Sequence, residues 1–268
     1  MQLFYITNDF YEAQLCEQVG IDWVFLDLEI IGKQERQAQR DTVISLHSKN
    51  DIPSLKSVLK KTKLLVRVNP FGTWTRNEVV NCDELGADMI MLPYFTTVEE
   101  VTSFLNIPTK AQKCLLLETM DSVYKIDDII GQNGIDYIHV GLNDLNIDRG
   151  TNFLFEFLAD GWLEILSEKF NNANIQWGFG GIGPLNKLSP SGSELLKEHS
   201  RLNSDGVILS RSFKRECFIK DKLSYSLLVK KIGELRREVE TNLSLSQYEL
   251  LKNREVVVNQ IKNVSQNL

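Results

Sequence analysis

Eight short apolar runs, each followed by a segment of helical spacing, constrain this chain more than any other feature. They are LFYIT (3–7), WVFLDLE (23–29), LLVRVN (64–69), DMIMLP (88–93), CLLLE (114–118), DYIHVGL (136–142), IQWGFGG (175–181) and GVILS (206–210). Runs this short and this apolar suit strands buried on both faces. Asp9 with Glu12 marks a capping box and a helix through Val19. Further helices are expected near Ile52–Lys61, up to Leu85, after a Thr96–Glu99 cap, through Ile130, near Phe153–Phe170 and near Ser191–His199. A helical crossover returns the chain in the same direction, so the strands pair in parallel. Eight such units in residues 1–213 predict an α/β fold, a (β/α)8 TIM barrel with extra C-terminal helices. The alternative, a doubly wound open sheet, calls for a glycine-rich phosphate turn after the first strand, and ITNDF has none.

Residues 214–268 form a C-terminal helical extension. Leu223, Leu227, Leu228, Ile232, Leu235 and Val239 make one helical stripe. Ser246 with Glu249 caps a second helix carrying Leu250, Val257, Ile261 and Val264. A barrel needs one closing helix. The second needs a partner for its apolar face, either the barrel's own wall or a neighbouring subunit.

Charge and composition exclude several classes. The net charge of −6 argues against a general nucleic-acid binder, whose affinity rests on neutralising phosphates. From Lys214 onward there are 11 basic and 7 acidic residues, leaving 19 basic and 29 acidic before it. That asymmetry is either a docking aid for the tail or a solvated helix face. No run approaches about 18 apolar residues, so no membrane span is expected. MQLFYITNDF lacks the pattern of a signal peptide. The four cysteines form no C-x-x-C pair, so a reducing, cytoplasmic setting with core or surface thiols is expected.

In such barrels chemistry sits at the C-terminal ends of the strands. The second strand brings Asp27 and Glu29 there. The third brings Arg67 and Asn69, and the fifth Glu118. The sixth brings His139, then Asn143 and Asp144. The seventh opens into GFGGIG (178–183), including Gly180 and Gly181. The eighth brings Ser210 and Arg211. Buried carboxylates need cations or a metal. Glu118 and Asp144 follow adjacent strands, and oxygen ligands with room for water suit Mg2+ or Mn2+. With three histidines and no clustered spacing, zinc fits less well.

Several residues keep two readings. Arg67 forms a structural salt bridge with Asp27 or Glu29, or meets substrate. Glu118 and Asp144 are metal ligands or helix caps. His139 lines the mouth or serves as a base. The glycine segment is a flexible turn or presents N–H groups to an anion. His47 and His199 read as loop and helix-surface residues.

The segments VFLDLE (24–29), LLVRVNP (64–70), GADMIMLPYFTTVEEV (86–101), LLLETMDSVYKIDDI (115–129) and IHVGLNDLN (138–146) come in an order and spacing that resemble the HpcH/HpaI aldolase and citrate lyase family. The resemblance covers roughly residues 3–212. It implies a phosphoenolpyruvate/pyruvate-type barrel and a divalent metal held by Glu118 and Asp144. It also implies that Arg67 stabilises an enolate, and that a C-terminal helix packs on a neighbour in a homo-oligomer. The DLE-x-x-GK-x-ERQ and GFGGI segments resemble aldolase-like proteins of surface-polysaccharide gene clusters.

One departure stands out. Where the 2-keto acid aldolase branch has D-x-E-H, with the histidine as general acid/base, this chain reads DLEI. Isoleucine moves no proton, so Ile30 removes that dyad.

The expected function is a metal-dependent carbon–carbon lyase acting on a 2-oxo acid. Arg67, Asp27 and Glu29 are the expected catalytic residues, and Gly180, Gly181, Asn143 and Arg211 the expected substrate contacts. A metal-bound water, Asp27 or Glu29, and His139 are the candidates for the base. The alternative is an altered barrel that binds a small carboxylate or phosphate without turnover. A third option is group transfer, with Lys33, Arg36 and Arg40 meeting a phosphate.

Overall fold

The computed structural model describes residues 1–32 and 47–268. Eight parallel strands close into a barrel in chain order: β1 (Gln2–Ile6), β2 (Trp23–Asp27), β3 (Lys63–Arg67), β4 (Met89–Leu92), β5 (Gln112–Leu117), β6 (Tyr137–Val140), β7 (Gln176–Ile182) and β8 (Gly206–Leu209). β8 pairs with β1, which leaves the barrel sheet no open edge. Helices follow the strands around the outside. Among them are α1 (Phe10–Val19), α2 (Asp51–Val58), α3 (Thr75–Glu84), α4 (Val98–Leu105), α5 (Met120–Tyr124) and α6 (Ile126–Ile130). The TIM barrel expected from the strand count is the fold.

The two-residue period of the strands divides the core into two layers. Leu3, Tyr5, Val24, Leu26, Leu64 and Val66 face the helices. Phe4, Trp23, Phe25, Leu65, Met89, Met91, Cys114, Leu116 and Tyr137 fill the barrel interior. Extending the inner set upward by two residues reaches Asp27 after Phe25, Arg67 after Leu65, Glu118 after Leu116 and His139 after Tyr137. The residues that plug the barrel thus share a parity with the polar groups above them.

Two expected boundaries shift. The cap before α4 is Thr97 with Glu100, one residue beyond the Thr96–Glu99 pair, because Thr97 adopts the extended conformation and Glu100 reaches back to its N–H at 3.1 Å. The single helix expected near Phe153–Phe170 is instead two, α8 (Glu156–Ala159) and α9 (Trp162–Asn172), and a further helix, α7 (Leu142–Arg149), precedes them directly after β6. A helical apolar period does not separate one long helix from several that bury the same side.

After α10 (Gly192–Arg201), β8 and α11 (Arg211–Arg215), a short antiparallel pair, β9 (Phe218–Ile219) and β10 (Lys222–Leu223), leads into α12 (Tyr225–Asn242) and α13 (Gln247–Gln266). The second stripe packs on the barrel's own wall. Leu250, Val257 and Ile261 are buried. Asn253 Nδ2 donates to Glu194 O at 3.0 Å and Glu198 Oε1 at 2.9 Å, and Gln260 Nε2 to Glu194 Oε1 at 2.8 Å. His199, expected on a helix surface, is buried instead. Its ring stacks on Phe179 at 3.7 Å and Nδ1 meets Ser204 Oγ at 2.8 Å. Among the described residues, no helix is long and apolar enough to cross a membrane.

Candidate active site

A cavity of about 600 Å3 opens at the C-terminal end of the barrel, with Asp27, Arg67, Glu118, Asp144, Gly180 and Arg211 in its wall. Asn143 and Gly181 also line it. Glu29 is buried outside the cavity wall and lies 3.2 Å from Arg67. Lys33, Arg36 and Arg40 lie outside the described residues.

Asp27 and Arg67 are register partners on β2 and β3. Arg67 Nε donates to Asp27 Oδ1 at 2.9 Å and Nη2 to Oδ2 at 2.8 Å, a two-bond fork. Nη1 lies 3.2 Å from Glu29 Oε2. Burial alone would push the guanidinium down, but Asp27 and then Glu29 hold it well above its ordinary value, fully charged. Two of its five N–H groups serve Asp27, so donors remain for a bound oxyanion. The β2 loop is tied down beneath this. Asp27 Oδ1 accepts from Glu29 N at 3.2 Å, and Asn69 Oδ1 accepts from Ile30 N at 2.9 Å and Ile31 N at 3.0 Å. Asn69 Nδ2 in turn donates to Glu78 on α3 at 2.6 Å.

Glu118 leaves β5 buried, and Tyr94 N donates to its Oε1 at 3.1 Å. Tyr94 holds a left-handed φ of 49° at that position. Asp144 comes from the first turn of α7 and is also buried. The cap before α5 is Thr119, whose side chain accepts from Ser122 N, so Glu118 is not a helix cap. Gly141 makes room for the pair: a Cβ there would lie 2.9 Å from Glu118 Cβ and Oε2.

Burial first, and the adjacent Asp144 second, push the Glu118 carboxyl well above the usual carboxylate range. Asp27, Glu29 and Glu118 thus gather around the guanidinium of Arg67, and Asp144 stands against Glu118. That donor set fits a divalent cation, which would relieve the repulsion between Glu118 and Asp144. Among the described residues no three His, Cys, Asp or Glu side chains converge as a complete metal site. Two carboxylates, with the remaining positions left to water and substrate oxygens, suit a hard ion such as Mg2+.

His139 lines the cavity, and its Nε2 lies 3.0 Å from Gly180 O. A carbonyl oxygen only accepts, so Nε2 carries the proton and serves the glycine turn. Burial lowers this histidine to about 4, so it is neutral at ordinary pH. Its work is to position Gly180, whose φ of 54° turns the chain at the cavity wall. Lys214, on α11, donates to Ile6 O at 2.7 Å and Glu12 Oε2 at 3.1 Å, closing the cavity beside β1.

The sequence reading missed one wall residue of chemical weight. His47, read from the sequence as a loop residue, lines the cavity, and its Nδ1 accepts from Asp27 N at 2.9 Å. No local spacing signals a contact across 20 residues, and only the scarcity of histidine marks it in the sequence. Ile30, at the position of the aldolase-type histidine, is 59% exposed and outside the cavity wall.

A closed parallel barrel with this acid-rich mouth defines the chain as a TIM-barrel protein of the kind that gathers carboxylates around an arginine at its strand ends. The HpcH/HpaI aldolase/citrate lyase family model matches residues 1–154, and the chain belongs to that family. It is 25% identical to the hydroxypyruvate/pyruvate aldolase of Roseobacter denitrificans over 171 residues, covering 52% of this chain. The match spans 61% of that relative's length. The fold resembles the crystal structure of an HpcH/HpaI aldolase from Desulfitobacterium hafniense, with a TM-score of 0.62 at 13% identity over 91% of this chain and 93% of the other. It also resembles the citrate synthase SbnG, with a TM-score of 0.58 at 14% identity over 89% and 94%. At these identities the structural likeness speaks for the fold alone.

Proposed function

We propose that the protein is a divalent-metal-dependent carbon–carbon lyase that acts on a 2-oxo acid through an enolate. The observation that carries this reading is the buried Glu118–Asp144 pair beside the fully charged Arg67. The hydroxypyruvate/pyruvate aldolase relative supports the substrate class. Glu118 and Asp144 would hold Mg2+ or Mn2+, and the ion would supply positive charge to substrate oxygens as negative charge builds on them. Arg67 adds charge-assisted donors to the same oxygens, oriented in advance by its fork with Asp27. Gly180, Gly181, Asn143 and Arg211 would contact the rest of the substrate. His139, with its Nε2 proton engaged by Gly180 O, would act as a base only through Nδ1. The protein would work as a homo-oligomer on a small 2-oxo acid or related carboxylate.

The experiment is deuterium exchange. Native protein with Mg2+ or Mn2+ and pyruvate in D2O should exchange the methyl protons, followed by NMR. No exchange, where calorimetry shows the metal bound, sinks the enolate reading.

Ile30 motivates a second reading, a barrel that binds a small carboxylate or phosphate in polysaccharide biosynthesis without turning it over. It predicts calorimetric binding of a 2-oxo acid with no turnover across a broad panel. Turnover of any of them eliminates it.

A further inference from the structure

His139 is fixed through one ring nitrogen and open at the other. Gly180 O only accepts, so Nε2 carries the proton of that 3.0 Å bond, and the neutral ring keeps a lone pair on Nδ1. Nδ1 makes no hydrogen bond to the described residues. It is not sealed in either. The orphaned buried polar atoms on the described barrel strands are the hydroxyls of Tyr5 and Tyr137, and Nδ1 is not one of them. Its open surface is on the cavity that the ring lines.

The surroundings of this lone pair are apolar. β6 is set against β5 so that His139 lies opposite Leu116, two residues short of Glu118. At this depth Ile6, Phe25, Leu116 and Ile208 line the cavity, below the carboxylates and Arg67. A lone acceptor in an apolar floor is costly until a ligand supplies a donor. A ligand that supplies one is favoured over the analogue that lacks it. Two residues of strand put the Glu118 layer about 6.6 Å above. That distance is about the reach from an oxygen held at Glu118 and Asp144, across the next carbon, to a hydroxyl and its hydrogen bond.

We propose that His139 determines substrate choice: its Nδ1 accepts a hydrogen bond from a hydroxyl on the carbon beside the keto group, so the cavity selects 3-hydroxy-2-oxo acids over their deoxy analogues. This rests on the 2-oxo acid reading given above. The carboxylate and keto oxygens face the Glu118–Asp144 pair and Arg67, and the hydroxyl faces the floor. His139 gains and loses no proton in this role. Its two nitrogens do separate work, Nε2 on the glycine turn and Nδ1 on the substrate.

Two measurements test it. Long-range 1H–15N correlation NMR of the labelled native protein should show His139 with Nε2 protonated and Nδ1 bare. With Mg2+ present, the Nδ1 resonance should move further on adding hydroxypyruvate than on adding pyruvate. An Nδ1–H tautomer, or equal shifts with the two acids, overturns the proposal. The second measurement is calorimetry with Mg2+, in which native protein should bind hydroxypyruvate roughly 10- to 100-fold more tightly than pyruvate. H139F keeps a ring but no acceptor, and should bring that ratio within about threefold of unity. H139N places an amide oxygen near the position of Nδ1, and should keep a ratio of about fivefold or more. A ratio of two ligands cancels general damage from losing the Gly180 contact.

Equal affinities in native protein, or a native ratio kept in H139F, overturn the proposal. An H139N ratio as low as that of H139F does so as well. Pyruvate methyl exchange lost in both variants with the ratio unmoved shows a base instead, and also overturns it. Should H139F not fold, the native affinities and the shift at Nδ1 decide, with equal responses to the two acids as the refuting result. Native protein that binds neither acid, where Mg2+ is shown bound, defeats the 2-oxo acid reading itself. Binding of both without preference defeats the His139 proposal alone.

Discussion

Asp27 and Arg67 sit opposite each other in the β2–β3 register, and their side chains close a two-bond fork with 2.9 and 2.8 Å contacts at the mouth of the barrel. The pairing places the arginine directly from the strand register. Glu29 adds a second carboxylate at 3.2 Å.

Removing the arginine leaves two buried carboxylates uncompensated. R67A is expected to lower stability by about 3–5 kcal/mol, the range for breaking a buried ion pair from one side. Urea unfolding measures it. R67K keeps the charge but not the planar fork, so it should unfold closer to native while losing pyruvate exchange.

The Glu118 carboxyl, pushed up by burial and then by Asp144, holds its proton at pH values where a free glutamate has lost it. A cation must displace that proton. Mg2+ or Mn2+ affinity should therefore rise with pH, by up to about tenfold per unit. Calorimetry in buffers of different ionisation enthalpy should register proton release. E118Q should abolish both binding and release. Linkage runs the same way without metal: above the ordinary glutamate range only the unfolded chain gives up this proton, so Glu118 contributes a loss of stability as pH rises.

Two buried histidines act in the opposite sense. Burial lowers His139 to about 4 and His199 to about 3, from an ordinary value of 6.5. Between those limits the unfolded chain binds protons that the native state refuses. Stability should fall as pH drops from 6.5 toward 4 through His139, and on toward 3 through His199. Each contributes a slope of at most about 1.4 kcal/mol per pH unit. Urea midpoints measured across this range should show a shallower decline in H199Q than in native protein.

Gly141 gives Glu118 its space. In G141A a Cβ would sit 2.9 Å from Glu118 Cβ and Oε2, so the carboxylate has to move. Overpacking of this kind costs about 1–3 kcal/mol. The sharper expectation is weaker Mn2+ binding with the far-UV spectrum unchanged. Native Mn2+ affinity in G141A would show that Glu118 does not hold the ion.

Much of this was legible in the chain. Asp27, Arg67, Glu118 and His139 are strand-end residues two positions above apolar interior ones, and the strand period alone orients them inward. Asp144 was legible by its place after β6, although the helix that carries it was expected further on. The C-terminal stripe announced a partner but not which one, because the same apolar face suits a barrel wall and a second subunit equally.

What the sequence determined by itself is the barrel and the identity of its upper layer. Both follow from local periodicity, and eight apolar strands with helical crossovers have few ways to close. The tertiary structure alone decided which of those groups touch. It joined His47 to Asp27 across 20 residues, set Glu118 against an α7 residue, and buried His199 against Phe179. Those contacts arise where loops and helices from different units converge over one barrel mouth, and no spacing along the chain records that convergence.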